Sequence, residues 1–77
     1  MELLTAINNV DRVYALVCFP ASGQAVKISK KAAREMVINA GHAKDESQFV
    51  CDDIVWHAAD GTSIARMIGK NFGLVIG

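Results

Sequence analysis

Proline occurs once in this sequence, cysteine twice, tryptophan and tyrosine once each, and the net charge is zero. Each scarcity excludes something. Two cysteines, Cys18 and Cys51, are too few for the disulfide framework of a small secreted domain. Both sit inside hydrophobic stretches, which predicts buried free thiols. Zero net charge argues against a protein that grips nucleic acid mainly by counterion release. The longest apolar run, Val13 to Phe19, falls far short of the ~20 residues that a membrane-spanning helix requires. Met1-Glu2 opens with an acid rather than a basic n-region, so no signal peptide is read and a cytoplasmic location is expected. A chain of 77 residues predicts a single domain over 1–77 with one core.

Catalytic and metal-binding patterns are equally sparse. The order Cys18, His42, Cys51, His57 contains no Cys-x-x-Cys pair and no closely spaced His pair, so no metal is expected. No Gly-rich phosphate loop, no Gly-x-Ser-x-Gly elbow and no His-Glu-x-x-His occurs, and neither a cofactor nor a small-molecule substrate is implied. On one continuous strand, Cys51 and His57 would stand about 20 Å apart, beyond hydrogen-bond reach. Asp52 and Asp53, adjacent on a strand, would face opposite sides and share no reacting atom. The expectation is a protein that is not an enzyme. Nucleophilic chemistry at Cys18 or Cys51 stands as the last alternative.

Hydrophobic residues, by contrast, are plentiful at 52%. A domain this small buries only about 60% of the surface its unfolded chain exposes. Some of the apolar surplus should therefore reach the surface, where a large patch marks a contact site. The presence of eleven alanines among these residues softens that inference without removing it.

The pattern of elements points to a small α+β domain. Leu3, Leu4 and Ile7 share a helical face, predicting a short helix over 2–8. Arg12 to Phe19 reads as a strand apolar on both faces, which suggests an interior position. Pro20 to Gly23 is a turn, after which Ala25 to Ile28 pairs back as a hairpin. Ser29 is placed to cap a helix from Lys30 to Ala40, with Gly41 at its C′ position. Phe49 to Ala58 reads as extended chain bent at Asp52-Asp53. Asp60-Gly61 favours a hairpin into a strand over Ser63 to Ile68, although Ile64, Met67, Ile68 and Phe72 also fit a helical stripe. Leu74-Val75-Ile76 needs burial, in its own sheet or in another chain's. The predicted fold is an antiparallel sheet of three to five strands with one or two helices on one face. Its predicted core is Leu4, Ile7, Val13, Ala15, Leu16, Val17, Phe19, Val26, Ile28, Ala33, Met36, Val37, Val50, Ile54 and Trp56.

Charge divides the chain in two. Residues 1–44 carry six basic and three acidic side chains, and residues 45–77 carry two basic and five acidic ones. Two clusters follow. Lys27, Lys30, Lys31 and Arg34 gather at the start of the central helix, where the partial positive charge of the helix end disfavours cations. A docked anion or nucleic acid would resolve that conflict, and so would internal pairing with the acidic segment. Asp45, Glu46, Asp52 and Asp53, with Trp56 as an aromatic anchor, form a candidate face for a basic protein partner. Trp56 in an apolar strand reads equally as core. The functional expectation is a non-catalytic binding protein acting through protein–protein contact. Such a chain fits an accessory or inhibitory factor of the type that phages and mobile elements carry, or a self-associating dimer. A nucleic-acid-associated regulator using the basic cluster is the rival, and no membrane partner is expected.

Overall fold

In a computed structural model, which describes residues 1–11, 14–19, 23–51, 53–68 and 71–75, the described residues form two helices and six strands. They run α1 (Leu3–Asn8), β1 (Tyr14–Phe19), β2 (Gln24–Ser29), α2 (Lys30–Asn39), β3 (Ser47–Val50), β4 (Asp53–His57), β5 (Ser63–Ile68) and β6 (Asn71–Val75). All six strands join one sheet in the order β2-β1-β6-β5-β4-β3. Neighbours are antiparallel except β1 and β6, which run parallel with Leu16 opposite Gly73 and Val17 opposite Leu74. The α+β class expected from the sequence is present, but the sheet is larger than expected and mixed rather than purely antiparallel.

Local chemistry explains the boundaries. The Ser29 hydroxyl accepts the Ala32 N–H at 3.1 Å and opens α2, satisfying one donor that the first turn leaves over. At the other end the chain reverses through Gly41 at φ 81°. His42 N–H donates to the Val37 carbonyl and Gly41 N–H to the Ile38 carbonyl, both at 3.0 Å. That paired closure is a Schellman motif, and it requires the left-handed conformation that glycine supplies. Between β4 and β5, Ala58 N–H donates to Thr62 O at 2.8 Å and Gly61 N–H to Ala58 O at 2.9 Å. The Asp-Gly signal was thus hairpin chemistry, and Ser63–Ile68 is a strand.

The bend expected at Asp52-Asp53 is a tight hairpin instead. Val50 pairs with Asp53 across β3 and β4, leaving two residues for the loop. Cys51 takes φ 55° there, as two-residue hairpins demand of their first loop position. A cysteine in that region carries a backbone penalty that glycine would avoid. Asp52 lies outside the described residues.

Two helices cover one face only. Ala15 and Val17 of β1, Trp56 of β4, Ala65 of β5, and Phe72 and Leu74 of β6 point to one side, in a single cluster with Leu3, Ala6 and Ile7 of α1 and Ala33 and Val37 of α2. A register shift at Trp56/His57 lets consecutive residues Ile64 and Ala65 both enter that core, as a β-bulge does. Trp56 and Phe72 meet with ring centroids 5.8 Å apart.

Six predicted core residues are fully buried: Ile7, Ala15, Val17, Ala33, Val37 and Trp56. Leu4, Ile28, Met36 and Ile54 pack against them half-buried. Leu16, Val26 and Val50 do not belong to the core and are exposed. Leu16 faces away from the helices, whereas Val26 and Val50 sit on the two edge strands. Val13 and the Phe19 side chain lie outside the described residues. The buried-thiol expectation also fails, since Cys18 is half-buried and Cys51 exposed. Cys18 stands on the open side of β1 and Cys51 at a hairpin tip.

The C-terminal strand supplies what the pattern could not show. Phe72 and Leu74, 4% and 1% exposed, insert between the N-terminal hairpin and the β3–β5 meander. Leu74→Ala is therefore expected to lower stability by about 3 kcal/mol, read by urea unfolding; a loss under about 1 kcal/mol would contradict that packing. Cys51→Gly is expected to raise stability by about 0.5–1 kcal/mol, and a lower melting temperature would show that the loop is unstrained.

Candidate functional site

The open side of the sheet carries the surface that the helices leave bare. Alternation along β1 places Tyr14, Leu16 and Cys18 opposite in sense to Ala15 and Val17. Cross-strand register then aligns one row over all six strands: Lys27, Leu16, Gly73, Arg66, Val55 and Gln48. Tyr14 is 61% exposed, Leu16 40% and Val75 39%. Beside Leu16 and Val75 lies a recess of about 260 Å³, lined also by Cys18, Gly73, Arg66 and Asn71. Exposed apolar side chains, Tyr14 and Leu16 of β1 and Val75 of β6, thus stand on a side of the sheet that the helices leave bare, as in a contact surface.

Gly73 is unusual within it. Its φ is not positive, and a Cβ built there would meet only ordinary contacts, the Arg66 and Leu16 carbonyl oxygens at 3.9 and 4.0 Å. Nothing inside the described chain requires glycine at this position. A glycine inside a strand weakens the strand and often marks the close approach of another backbone.

The four cations proposed as one cluster are divided between two layers. Lys27 stands opposite Leu16 on the open face, whereas Lys30, Lys31 and Arg34 lie on α2 across the sheet. Lys30 is also engaged, its Nζ 3.3 Å from the Asn8 carbonyl at the end of α1. A cation at a helix C-terminus is favourable. The lysine that looked misplaced at the start of α2 therefore serves the end of α1.

The acidic group disperses likewise. Asp45 Oδ2 lies 2.8 Å from His42 Nδ1, and Asp53 lies 3.6 Å from the Arg66 guanidinium. Glu46 is exposed in the α2–β3 connection. Trp56 is 0% exposed, and its indole N–H donates to the Met1 carbonyl at 3.1 Å. It is a core residue, so the proposed aromatic anchor is withdrawn: its apolar strand neighbours reflected burial under α1. The close contacts shown join Asp45 to His42 and Asp53 to Arg66 rather than either to the α2 cations. The strand order explains this, since β2 and β3 stand at opposite edges.

A second, wider recess of about 440 Å³ lies along residues 44–48 and the end of β4, where His57 lines it. The His57 Nδ1 is buried with no hydrogen-bond partner among the described residues. Asp60, beyond it, is held below its ordinary value of 3.8 mainly by the Thr62 backbone N–H, which its Oδ1 accepts at 2.9 Å. A depressed carboxylate stabilises the fold above its unfolded pKa and loses that contribution as pH falls through the folded one. This is turn chemistry. Among the described residues, no three His, Cys, Asp or Glu side chains gather where a metal ion could be held, and no helix is long and apolar enough to cross a membrane.

No protein-family model, no curated protein and no solved structure matches this chain. Its function is therefore argued from its own surface. The open face was not foreseen as the site, although its signal was present in the two apolar sides of the first strand.

Replacing Lys30 by Ala is expected to cost about 0.3–1 kcal/mol, while Lys31→Ala leaves stability unchanged. Equal effects in thermal unfolding of the two variants would remove Lys30 from its capping role.

Proposed function

We propose that this chain is a non-catalytic binding protein that works through protein–protein contact, with the open face of its sheet as the contact surface. The observation that carries the reading is the uncovered apolar row around Leu16, Gly73 and Val75, with Tyr14 standing 61% exposed beside it. Aromatic side chains are enriched at interface cores, where a large, rigid group fills a partner's surface at small entropic cost. Lys27 at the edge of the same row and Arg66 within it add charge that orients a partner. An accessory or inhibitory factor works in this way, by occupying another protein's surface.

The division of Lys27 from Lys31 and Arg34 weighs against the nucleic-acid reading, because those cations do not form one continuous track for a phosphate backbone.

A photo-reactive phenylalanine derivative placed at position 14 tests the assignment against the same group placed at Ile38, which is 51% exposed on α2. Irradiation in cells expressing the protein is expected to yield discrete protein adducts from position 14 and few from position 38. Equal labelling from both positions would sink the open face as the contact surface.

A further inference from the structure

We infer that the occupant of the open face is a second copy of this chain, packed sheet to sheet about a two-fold axis that runs along the strands between β6 and β5. This rests on the contact surface proposed above and names its partner. The argument is self-complementarity of the central row. Such an axis reverses the row Lys27, Leu16, Gly73, Arg66, Val55, Gln48 over itself, because the six strands divide evenly on either side. Leu16 then comes over β4 of the second copy at Val55, an apolar position that its own chain leaves 8% exposed. Arg66 lies over Gly73 of the second copy, so the largest side chain of the row meets the position that has none. Lys27 lies over Gln48 of the second copy, beside the strand that bears Asp53.

Gly73 is the independent observation. Its own chain leaves room for a Cβ, and the position nevertheless holds a glycine, which weakens a strand interior. A partner side chain entering the recess accounts for that choice.

Charge selects the two-fold among the alternatives. On this face the cation Lys27 stands on β2 at one edge, and the carboxylate Asp53 stands on β4 towards the other. Pairing two β2 edges would bring Lys27 towards Lys27, and an axis across the strands would do the same. Rotation about the strand direction instead carries Lys27 over the β3 edge of the other copy, next to the strand that bears Asp53, and the contact closes as an isologous dimer. Size agrees. The broad side of a body measuring 27 × 25 × 21 Å is of the order of the ~800 Å² that a standard interface buries on each partner, and two twisted sheets pack face to face at about −30°.

Sedimentation equilibrium from low to high micromolar concentration is the test, on the wild type, Gly73→Val and Leu16→Arg. The expected result is a wild type of twice the 8.3 kDa chain mass, and two monomeric variants. Gly73→Val is expected to melt, as a monomer, no lower than Leu16→Arg, since a β-branched side chain suits the strand. That separates a lost interface from a lost fold. A wild type that stays at the chain mass throughout overturns the dimer. The adducts from position 14 would then still decide the contact reading, since they report any protein on that face. A dimer that survives in both variants overturns this face as its interface. Assemblies that keep growing with concentration overturn the closed two-fold and indicate β2 joining β3 of the next molecule.

Discussion

Two helices of six and ten residues cannot cover a six-stranded sheet twice. That constraint governs everything else in the molecule. With α1 and α2 both committed to one side, the apolar stripe of each helix and the inward side chains of five strands can close a single core around Trp56, Leu74 and Ile7. Among the described residues, no second layer meets the other side of the same strands. Domains normally bury each apolar face against a second element, so a half-covered sheet whose bare side carries Leu16, Tyr14 and Val75 is an incomplete sandwich. The surplus of hydrophobic residues in the composition is the one-dimensional trace of this shortage of cover.

Within that frame the polar groups have mostly structural employment. Ser29 caps one end of α2, Gly41 closes the other, and Lys30 reaches the exposed carbonyl at the end of α1. Asp45 and Asp53 are matched to His42 and Arg66. Charges that look like a recognition surface in one dimension are distributed by the fold over two layers and two edges. Lys27 and Arg66 alone among the cations named remain on the face where an interface would form.

How much of this was legible follows from how local each determinant is. The α2 helix, its cap, the β1–β2 hairpin and the Asp60-Gly61 turn all rest on neighbours within a few residues, and their reading matched the structure. The position of β6 was not legible, because its pairing with β1 joins residues 16 and 73 and leaves no periodic signal in either segment. The same non-locality hid the core role of Phe72, left open where Leu74 would be buried, and turned an expected antiparallel sheet into a mixed one. Leu16 was assigned to the core because a strand apolar on both faces resembles an interior strand. Only the placement of the helices distinguishes buried from bare. The contact face was hidden for that reason, while Trp56, an attractive anchor by residue type, was removed from the surface by its hydrogen bond to Met1.

The parallel seam between β1 and β6 also orders events in time. The β1–β2 hairpin and the β3–β5 meander each close over short loops, whereas the seam must bring together segments from opposite ends of the described chain. Closing so long a loop costs entropy before any contact repays it, and topologies rich in such pairings fold slowly. Until β6 arrives, β1 and β5 are both edges, each with a row of unpaired amides flanked by apolar side chains. The two halves of this molecule can form early and separately, and the last strand to dock is the one that converts two exposed edges into the middle of a sheet.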